Sequence, residues 1–284
     1  MLIGGIEAGG TKFVCAVGDE SGNVLDKVTF PTEDPVNTLG AAKQFFNNYN
    51  IQALGVGSFG PVDLNKKSKT FGRILNTPKL EWKQYRLLDQ LKLDYNIPIT
   101  LDTDVNAAAL GEFKYGAAKN AASVLYITVG TGIGAGFVKD GQTYIGKNHP
   151  EMGHIFIQQR KDDNFEGNCP YHGTCLEGLA SGPAIEKRFG KKGDLLGTDH
   201  VAWEMTADYL AQAIINYLLI LSPEKVIIGG GVMKQEQLYP LIRKKVMALS
   251  NTYMQLENLD EMIVAPTLND EQGIKGAIAL ALLE

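Results

Sequence analysis

Two glycine-rich turns, each between two apolar strands, constrain this sequence more than any other feature. The first is Ile6-Glu-Ala-Gly-Gly-Thr-Lys-Phe-Val-Cys-Ala-Val17, and the second is Ile127-Thr-Val-Gly-Thr-Gly-Ile-Gly-Ala-Gly-Phe-Val138. Glycine lets a backbone approach a polyphosphate closely, and a strand-turn-strand unit directs amide N–H groups and a threonine hydroxyl outward. One such turn is most simply a tight β-turn. The pair favours a nucleotide held between two lobes.

The order of elements around these turns predicts a duplicated α/β fold. Apolar runs predict three strands around each turn, at 2–8, 12–18 and 23–30 and again at 122–129, 132–139 and 142–145. The remaining segments predict helices at 36–48, 83–93, 107–112, 199–221, 238–249 and 274–283, and strands at 53–58, 99–101, 225–228 and 262–265. Thr198 is the expected cap of the longest helix. We therefore expect two lobes of similar build.

The composition excludes several classes of protein. With 284 residues, 44% of them hydrophobic, the chain can bury a large core. Its formal net charge of -5 argues against a nucleic-acid surface. No apolar run reaches the ~20 residues of a membrane span, and the N-terminus lacks the pattern of a secretory signal. The three cysteines, Cys15, Cys169 and Cys175, cannot form a disulfide framework, which favours the cytoplasm.

Neither glycine turn has the context of the two most familiar nucleotide motifs. Neither matches the P-loop pattern, and neither leads into a helix as a dinucleotide-binding turn does. Both are internal to hairpins, so their backbone amides are the expected phosphate ligands. The predicted phosphate-binding residues are Gly9, Gly10, Thr11 and Lys12 in the first turn and Gly130, Thr131 and Gly132 in the second.

The segment between residues 154 and 175 predicts a metal site. His154, Cys169, His172 and Cys175 offer two imidazoles and two thiolates, the ligands that Zn²⁺ prefers. Four ligands close a tetrahedron with no open position, so we expect a structural zinc ion that holds the irregular segment 161–174. The alternative is an unrelated group of packing and surface residues. His149 and His200 fall outside the pattern and are expected to be loop or capping residues.

Four motifs together resemble one known family, and they span nearly the whole chain. They are Ile6-Glu-Ala-Gly-Gly-Thr-Lys12, Leu101-Asp-Thr-Asp-Val-Asn-Ala-Ala-Ala-Leu-Gly-Glu112, Thr128-Val-Gly-Thr-Gly-Ile-Gly-Ala-Gly136 and Ile227-Ile-Gly-Gly-Gly-Val232. This set is similar to the ROK family of sugar kinases, and Thr77-Pro-Lys-x-x-Trp82 looks most like its bacterial fructokinases. The resemblance implies the actin-like, ribonuclease-H-like ATPase fold, with two lobes around a cleft. We expect the lobes to be 1–117 with 272–284, and 118–271.

The resemblance also implies a general base and a metal-facing residue. A cleft carboxylate at a helix start can take a proton from an attacking hydroxyl, although Asp104 or Asp102 there could equally be a helix cap. The match to the family's Asp-x-Asn-Ala-Ala motif makes Asp104 the predicted base. Thr103 stands where many relatives have Asn, and Glu7 stands where the superfamily usually has Asp. Glu7 is expected to face the phosphates and Mg²⁺, through water.

The remaining roles concern the sugar and the adenosine of ATP. Carboxylates are good acceptors for vicinal hydroxyls, and the predicted sugar-binding residues are Gly60, Thr103, Glu151, His154 and Glu177. Gly229, Gly230 and Gly231 follow a strand as the family's adenosine motif does. The run from Gly178 to Pro183 resembles the turn that closes over the adenine, so Pro183 is included among the nucleotide-binding residues.

These observations favour an ATP-dependent hexose kinase that converts fructose to fructose 6-phosphate. A glucokinase or mannokinase of the same family is the alternative. A sugar-responsive repressor would carry a DNA-binding domain before the first turn, where only residues 1–5 precede the motif that begins at Ile6. A non-enzymatic ATPase switch would not need the metal-braced segment. Because relatives are commonly dimers, a homodimer is expected.

Overall fold

Two five-stranded mixed sheets and nine α-helices organise the part of the chain that the computed structural model describes, residues 1–283. The strands are β1 (Ile3–Ala8), β2 (Lys12–Gly18), β3 (Val24–Pro31), β4 (Ala53–Ser58), β5 (Ile99–Thr103), β6 (Ser123–Val129), β7 (Ile133–Lys139), β8 (Gln142–Thr143), β9 (Lys225–Gly229) and β10 (Ile263–Val264). The helices are α1 (Pro35–Phe46), α2 (Leu87–Asp94), α3 (Asp104–Tyr115), α4 (Leu176–Ala180), α5 (Gly182–Phe189), α6 (Val201–Leu221), α7 (Leu238–Ser250), α8 (Leu259–Met262) and α9 (Gln272–Leu280).

The two sheets share one topology. The first has the order β3-β2-β1-β4-β5, and the second, read from its other edge, has the order β8-β7-β6-β9-β10. In the first sheet β2 pairs antiparallel with both β1 and β3, whereas β4 pairs parallel with β1 and β5. In the second sheet β7 pairs antiparallel with β8, and β9 pairs parallel with β6 and β10. This repetition confirms the duplicated α/β fold predicted from the sequence.

Close helix packing explains Gly55 in the first sheet and Gly276 in α9. A Cβ on Gly55 of β4 would lie 1.8 Å from the carbonyl oxygen of Ala277 in α9. A Cβ on Gly276 of α9 would lie 1.7 Å from the carbonyl oxygen of Ala107 in α3. Only residues without a Cβ permit these approaches, so α9 packs directly on both β4 and α3. The start of α3, which carries the Asp104 motif, therefore rests on a rigid support.

The chain divides into two compact units. The first comprises residues 1–123, 136–150 and 266–283, and its core includes Phe13, Trp82 and Leu91. The second comprises residues 124–135 and 151–265, and its α6 packs against α7. The lobe boundaries expected from the sequence, 1–117 with 272–284 and 118–271, stay a prediction, and Glu284 lies outside the described residues.

Several element boundaries differ from the expected ones. Thr198 was a wrong prediction for the cap of α6, because the helix begins at Val201 and His200 Nδ1 accepts a hydrogen bond from the N–H of Ala202. Gln84 has a φ of 62°, so α2 begins only at Leu87. The run 178–183 is not one connecting turn: α4 ends at Ala180, and Ser181 caps α5. None of the helices within residues 1–283 combines the length and the apolar character needed to span a bilayer.

Candidate active site and metal cluster

The first glycine turn is closed by its own backbone. The Gly9 N–H donates to the carbonyl oxygen of Lys12 at 3.0 Å, and the Thr32 hydroxyl donates to the carbonyl oxygen of Gly9 at 2.7 Å. A Cβ on Gly9 would lie 2.6 Å from the Lys12 oxygen, so the turn requires glycine there. The structure thus brings the predicted residues Gly9, Gly10, Thr11 and Lys12 together in one tight turn.

A lysine that was not among the predicted site residues lies beside this turn. The Cε atom of Lys79 is 3.8 Å from the position that a Cβ on Gly10 would take. Its ammonium makes no hydrogen bond or ion pair with any residue in 1–283. The segment is anchored by the buried Trp82, whose Nε1–H donates to the Glu33 carbonyl oxygen at 2.7 Å. The run Thr77-Pro-Lys-x-x-Trp82 was the signal in the sequence, but its position against the turn is visible only in the fold.

Glu7, near the end of β1, lies against the first turn of α9. A Cβ on Gly273 would stand 2.5 Å from the carboxyl carbon of Glu7. Burial raises the pKa of the Glu7 carboxyl, and the negative charge of Asp270 adds to this, while Lys12 opposes it. A desolvated carboxylate with a second negative charge nearby fits a divalent cation, because a cation would relieve both effects.

The cap of α3 is neither of the two expected aspartates. The Thr103 hydroxyl accepts a hydrogen bond from the Asn106 N–H at 3.2 Å, so Thr103 is the N-cap. Asp104 is the first residue of the helix, and its Oδ1 accepts from the N–H of Val105 at 2.9 Å. The capping alternative for Asp104 and Asp102 is therefore wrong.

Asp102 holds this helix start in place instead. Its carboxylate accepts hydrogen bonds from the Thr103 N–H at 2.7 Å, the Asn106 side-chain amide at 2.8 Å and the Thr143 hydroxyl at 2.6 Å. Burial raises the pKa of Asp102, and the three donated hydrogen bonds oppose that rise. The side chains on either side of Asp104 are thus fixed by a buried network.

His149 lies in the irregular segment after β8, as expected for a loop residue, and it belongs to the same neighbourhood as Asp102 and Thr103. Its Nδ1 is 3.5 Å from the Thr103 hydroxyl oxygen. The preceding Asn148 accepts a hydrogen bond from the Leu64 N–H at 2.9 Å, which fixes the segment. Burial lowers the pKa of His149 to about 4, so the imidazole is neutral at neutral pH. Gly60 lies in the loop after β4, at an exposed position, and forms a cis peptide bond with Pro61.

The four predicted metal ligands form one cluster in the second unit. One potential ligand atom from each of His154, Cys169, His172 and Cys175 lies within 4.8 Å of the others. The His154 Nδ1 is 3.7 Å from Cys169 Sγ and 3.5 Å from Cys175 Sγ, and His172 Nδ1 is 3.8 Å from Cys169 Sγ. A tetrahedral zinc ion that binds sulfur at about 2.3 Å and nitrogen at about 2.0–2.1 Å places those atoms about 3.6 Å apart. The donor set and its spacing therefore fit Zn²⁺.

Glu177 connects this cluster to the second glycine turn. Its Oε2 accepts a hydrogen bond from the Ile133 N–H at 2.9 Å, and its Oε1 is 3.9 Å from His154 Nε2. His154 thus directs one ring nitrogen toward the cysteines and the other toward Glu177. Desolvation by burial raises the pKa of the Glu151 carboxyl. The charge of His154 opposes this rise, and the negative charge of the nearby Glu177 adds to it. Three predicted sugar-binding side chains, Glu151, His154 and Glu177, are therefore neighbours.

A cavity of about 530 Å³ in the second unit is lined by predicted nucleotide-binding residues. Gly130 and Thr131 of the second turn, Pro183 of α5 and Gly231 after β9 all line it. The Gly182 N–H donates to the carbonyl oxygen of Gly130 at 2.8 Å, which joins the turn to the start of α5. Trp203, which the sequence analysis did not indicate, also lines the cavity. Gly132 lies instead against Glu177, and roles for Gly132 and Gly229 stay predictions.

Gly230 has a conformational role at the end of β9. Its φ is 93°, and a Cβ there would lie 2.5 Å from the carbonyl oxygen of Val129. Glycine alone combines this dihedral with such an approach to β6. The next residue, Gly231, consequently reaches the cavity wall.

Comparison with known proteins decides the family. A sequence model described as the ROK family matches residues 3–284. The chain belongs to this family. A Bacillus subtilis (strain 168) protein is 50% identical over 284 residues, which cover 99% of this chain and 95% of that protein. A fructokinase of Pediococcus pentosaceus is 45% identical over 281 residues, which cover 99% of this chain and 98% of the relative.

A solved ROK structure confirms the fold. It is the crystal structure of a ROK family glucokinase from Streptomyces griseus in complex with glucose and AMPPNP. The two chains superpose with a TM-score of 0.80 at 25% identity, and the alignment covers 100% of both. The actin-like ATPase fold expected from the motifs is therefore the fold of this ROK chain.

Proposed function

We propose that this chain is a fructokinase, which transfers the γ-phosphoryl group of ATP to the C6 hydroxyl of fructose and yields fructose 6-phosphate and ADP. The observation that carries the proposal is the 45% identity to the Pediococcus pentosaceus fructokinase over nearly the whole of both chains. The identity to the Streptomyces griseus glucokinase is 25%. The higher identity favours fructose over glucose as the substrate.

Asp104 is the proposed general base. It takes the proton from the C6 hydroxyl as the oxygen attacks the γ-phosphorus and ADP leaves. Thr103 provides the helix cap, so capping α3 does not require the Asp104 carboxylate. The hydrogen bonds that Asp102 accepts on both sides of it hold the backbone of Asp104 in place.

The sugar would be held by hydrogen bonds. We propose Gly60, Thr103, Glu151, His154 and Glu177 as its partners. His154 would donate through Nε2, because its Nδ1 faces the two thiols. Glu177 would accept through Oε1, because its Oε2 already accepts from the Ile133 N–H.

The phosphates would be bound by the two glycine turns. The amides of Gly10 to Lys12 and of Thr131 and Gly132 would donate to phosphate oxygens, whereas Gly9 and Gly130 would shape the turns, because their N–H groups already donate to the carbonyl oxygens of Lys12 and Gly132. The unpaired Lys79 ammonium would add a positive charge beside the first turn. Glu7 would hold Mg²⁺ through water. When bound with the nucleotide, Mg²⁺ would neutralise negative charge on the transferring phosphoryl group.

The cavity of the second unit is the proposed adenosine site. Pro183, Trp203 and Gly231 line it together with Gly130 and Thr131 of the phosphate turn. A volume of about 530 Å³ is in the range of ligand pockets for molecules of nucleoside size. Gly229 and Gly230 would act indirectly, because they position Gly231 at the wall of the cavity.

We also propose a structural zinc ion, a homodimer and a cytoplasmic location. Zinc would be bound by His154, Cys169, His172 and Cys175, and it would fix the positions of Glu177 and of the His154 ring. The cytoplasmic location is supported by three cysteines that are all free thiols.

A coupled assay for ADP release across hexoses tests the function. We expect turnover with fructose and MgATP, a lower kcat/KM with glucose and mannose, and loss of turnover when Mg²⁺ is chelated. Product analysis should identify fructose 6-phosphate. A higher kcat/KM with glucose or mannose would show that this sugar, and not fructose, is the substrate. ATP hydrolysis that is independent of any sugar would contradict a kinase and indicate an ATPase switch.

A further inference from the structure

The buried hydroxyl of Thr103 lies beside one ring nitrogen of His149. Thr103 is 4% exposed, and its oxygen already accepts the capping hydrogen bond from the Asn106 N–H. Its own hydroxyl proton still needs an acceptor, because an unsatisfied buried donor is costly. The acceptor beside it is His149 Nδ1, at 3.5 Å. A neutral imidazole that accepts at Nδ1 must carry its proton on Nε2.

The Nε2–H of His149 is then a donor without a partner among residues 1–283. His149 is partly exposed, so this donor can reach a bound molecule. The ring is neutral at neutral pH because burial lowers its pKa to about 4. It offers a single directed N–H rather than a positive charge.

The chain that leads to His149 is also anchored at two places. Asn148 accepts from the Leu64 N–H at 2.9 Å, and Thr143 donates to Asp102 at 2.6 Å, so the chain on both sides of residues 144–147 is fixed. Thr103 directly precedes Asp104, the proposed base. A sugar whose hydroxyl meets Asp104 would therefore present its neighbouring oxygens close to His149.

We propose that His149 is a specificity-determining residue, whose Nε2–H donates a hydrogen bond to an oxygen of the bound sugar. This inference rests on the proposed kinase function and names a further contact in the same site. Glu151 and Glu177 can only accept hydrogen bonds as carboxylates, so they bind sugar hydroxyls that donate. His149 would instead donate to a sugar oxygen that accepts. A sugar with no acceptor at that place would leave the His149 donor unpaired and would bind more weakly.

The tautomer can be measured without any activity. Protein labelled with ¹⁵N-histidine should show, by long-range ¹H–¹⁵N NMR at pH 7, one neutral ring protonated on Nε2 that disappears in His149→Gln. Adding fructose should shift that Nε2 resonance. A ring protonated on Nδ1, a charged imidazolium, or an Nε2 resonance insensitive to saturating fructose would each overturn the inference.

Two substitutions separate a hydrogen-bond role from a packing role. The side-chain amide of His149→Gln can place an N–H near the position of Nε2, whereas that of His149→Asn reaches only the position of Nδ1. We expect His149→Gln to retain kcat/KM for fructose within about tenfold and His149→Asn to lose roughly 100-fold, mainly through KM. Equal losses in the two variants, or no loss in either, would contradict the inference. His200→Asn, which keeps a capping acceptor at α6, is the matched control.

The failure of this inference is distinguishable from failure of the proposed function. If the unaltered protein phosphorylates fructose and both His149 variants match it, only the role of His149 is refuted. If the unaltered protein phosphorylates no hexose, the kinase proposal fails. The fructose-dependent shift of the Nε2 resonance then still decides whether His149 contacts the sugar.

Discussion

At the start of α3, the helix cap and the proposed base are different side chains. Thr103 satisfies the N–H of Asn106, and Asp104 occupies the first helical position. A substitution at Asp104 consequently leaves the cap intact. Such a substitution therefore tests the proposed role of Asp104 in proton transfer without removing the cap that stabilises α3.

Replacing Asp104 by Asn should lower kcat for fructose by about 10²–10⁴-fold, because an amide cannot accept the proton of the attacking hydroxyl. The melting temperature should stay within a degree or two of the original, as judged by circular dichroism. Asp89→Asn, in an exposed pair with Arg86, is the control and should keep full activity. Near-normal turnover by Asp104→Asn would remove Asp104 from the mechanism.

The lowered pKa of His149 predicts how the free energy of unfolding depends on pH. Its pKa is about 4 in the folded protein and near 6.5 in an unfolded chain, because burial disfavours the charged ring. Between those values the unfolded state binds the proton and the folded state does not, so stability falls as the pH drops from about 6.5 to 4. The full contribution is about 3 kcal/mol.

His149→Gln should remove this part of the acid sensitivity. The difference in unfolding free energy between the variant and the unaltered protein, measured by urea denaturation, should shift in favour of the variant as the pH falls from 6.5 to 4. A pH-independent difference would show that the ring of His149 titrates normally in the folded state.

Helix α3 is held at its far end by one buried carboxylate. Glu112 is fully buried and accepts hydrogen bonds from the N–H groups of Ala117, Thr267 and Leu268, at 2.7, 3.0 and 3.2 Å. Those donors belong to two segments far apart in the sequence. The carboxylate therefore joins the end of α3 to the chain that leads into α9.

Glu112→Ala should destabilise the protein by about 3 kcal/mol, since it leaves several backbone donors buried without an acceptor. Glu112→Gln should cost less, because the amide oxygen still accepts. Urea denaturation measures both values, and Glu81→Ala, at an exposed position, should change stability by less than about 0.5 kcal/mol. A neutral effect of Glu112→Ala would mean that water replaces the carboxylate.

The segment before α4 depends on two separate anchors. Asp163 forms a buried ion pair with Arg188 at 3.1 Å and accepts a hydrogen bond from the Tyr209 hydroxyl at 2.5 Å. The Cys and His cluster holds the part that follows. Removing the metal should consequently release residues 166–174 while Asp163 stays fixed.

Cys169→Ser should lose its stoichiometric zinc, as measured by elemental analysis, and should become sensitive to chymotrypsin at the exposed Tyr171. Cys15→Ala is the matched control, because Cys15 is buried in β2 and is not part of the cluster. It should retain one zinc per chain. Metal-free protein that is folded and protease-resistant before any substitution would contradict the zinc proposal.

The molecule as a whole shows which features a sequence can predict. The positions of the strands along the chain follow from apolar runs and glycine turns, which are local patterns, and the duplicated α/β fold was confirmed. The metal cluster was predicted because its ligands lie within 22 residues. The contact of Thr103 with His149 spans 46 residues, and that of Ile133 with Glu177 spans 44. No local pattern specifies such pairs, so the contacts of His149 and of the second Glu177 oxygen became visible only in the fold.

The predicted assembly can be tested directly. Sedimentation equilibrium at micromolar concentration should give a mass twice that of the 30.9 kDa chain. A single 30.9 kDa species that persists with fructose and MgATP present would contradict the homodimer.

Glu177 accepts from the second glycine turn with one oxygen and faces His154 with the other. A substitution of Glu177 that is selected for a new sugar would therefore have a second effect. It would leave the Ile133 N–H without its acceptor and would disturb the glycine turn that is proposed to bind the phosphates. Evolution toward another hexose would have an easier route through a residue with a single proposed role, such as Glu151. Glu177 should change last in any laboratory selection for altered substrate range.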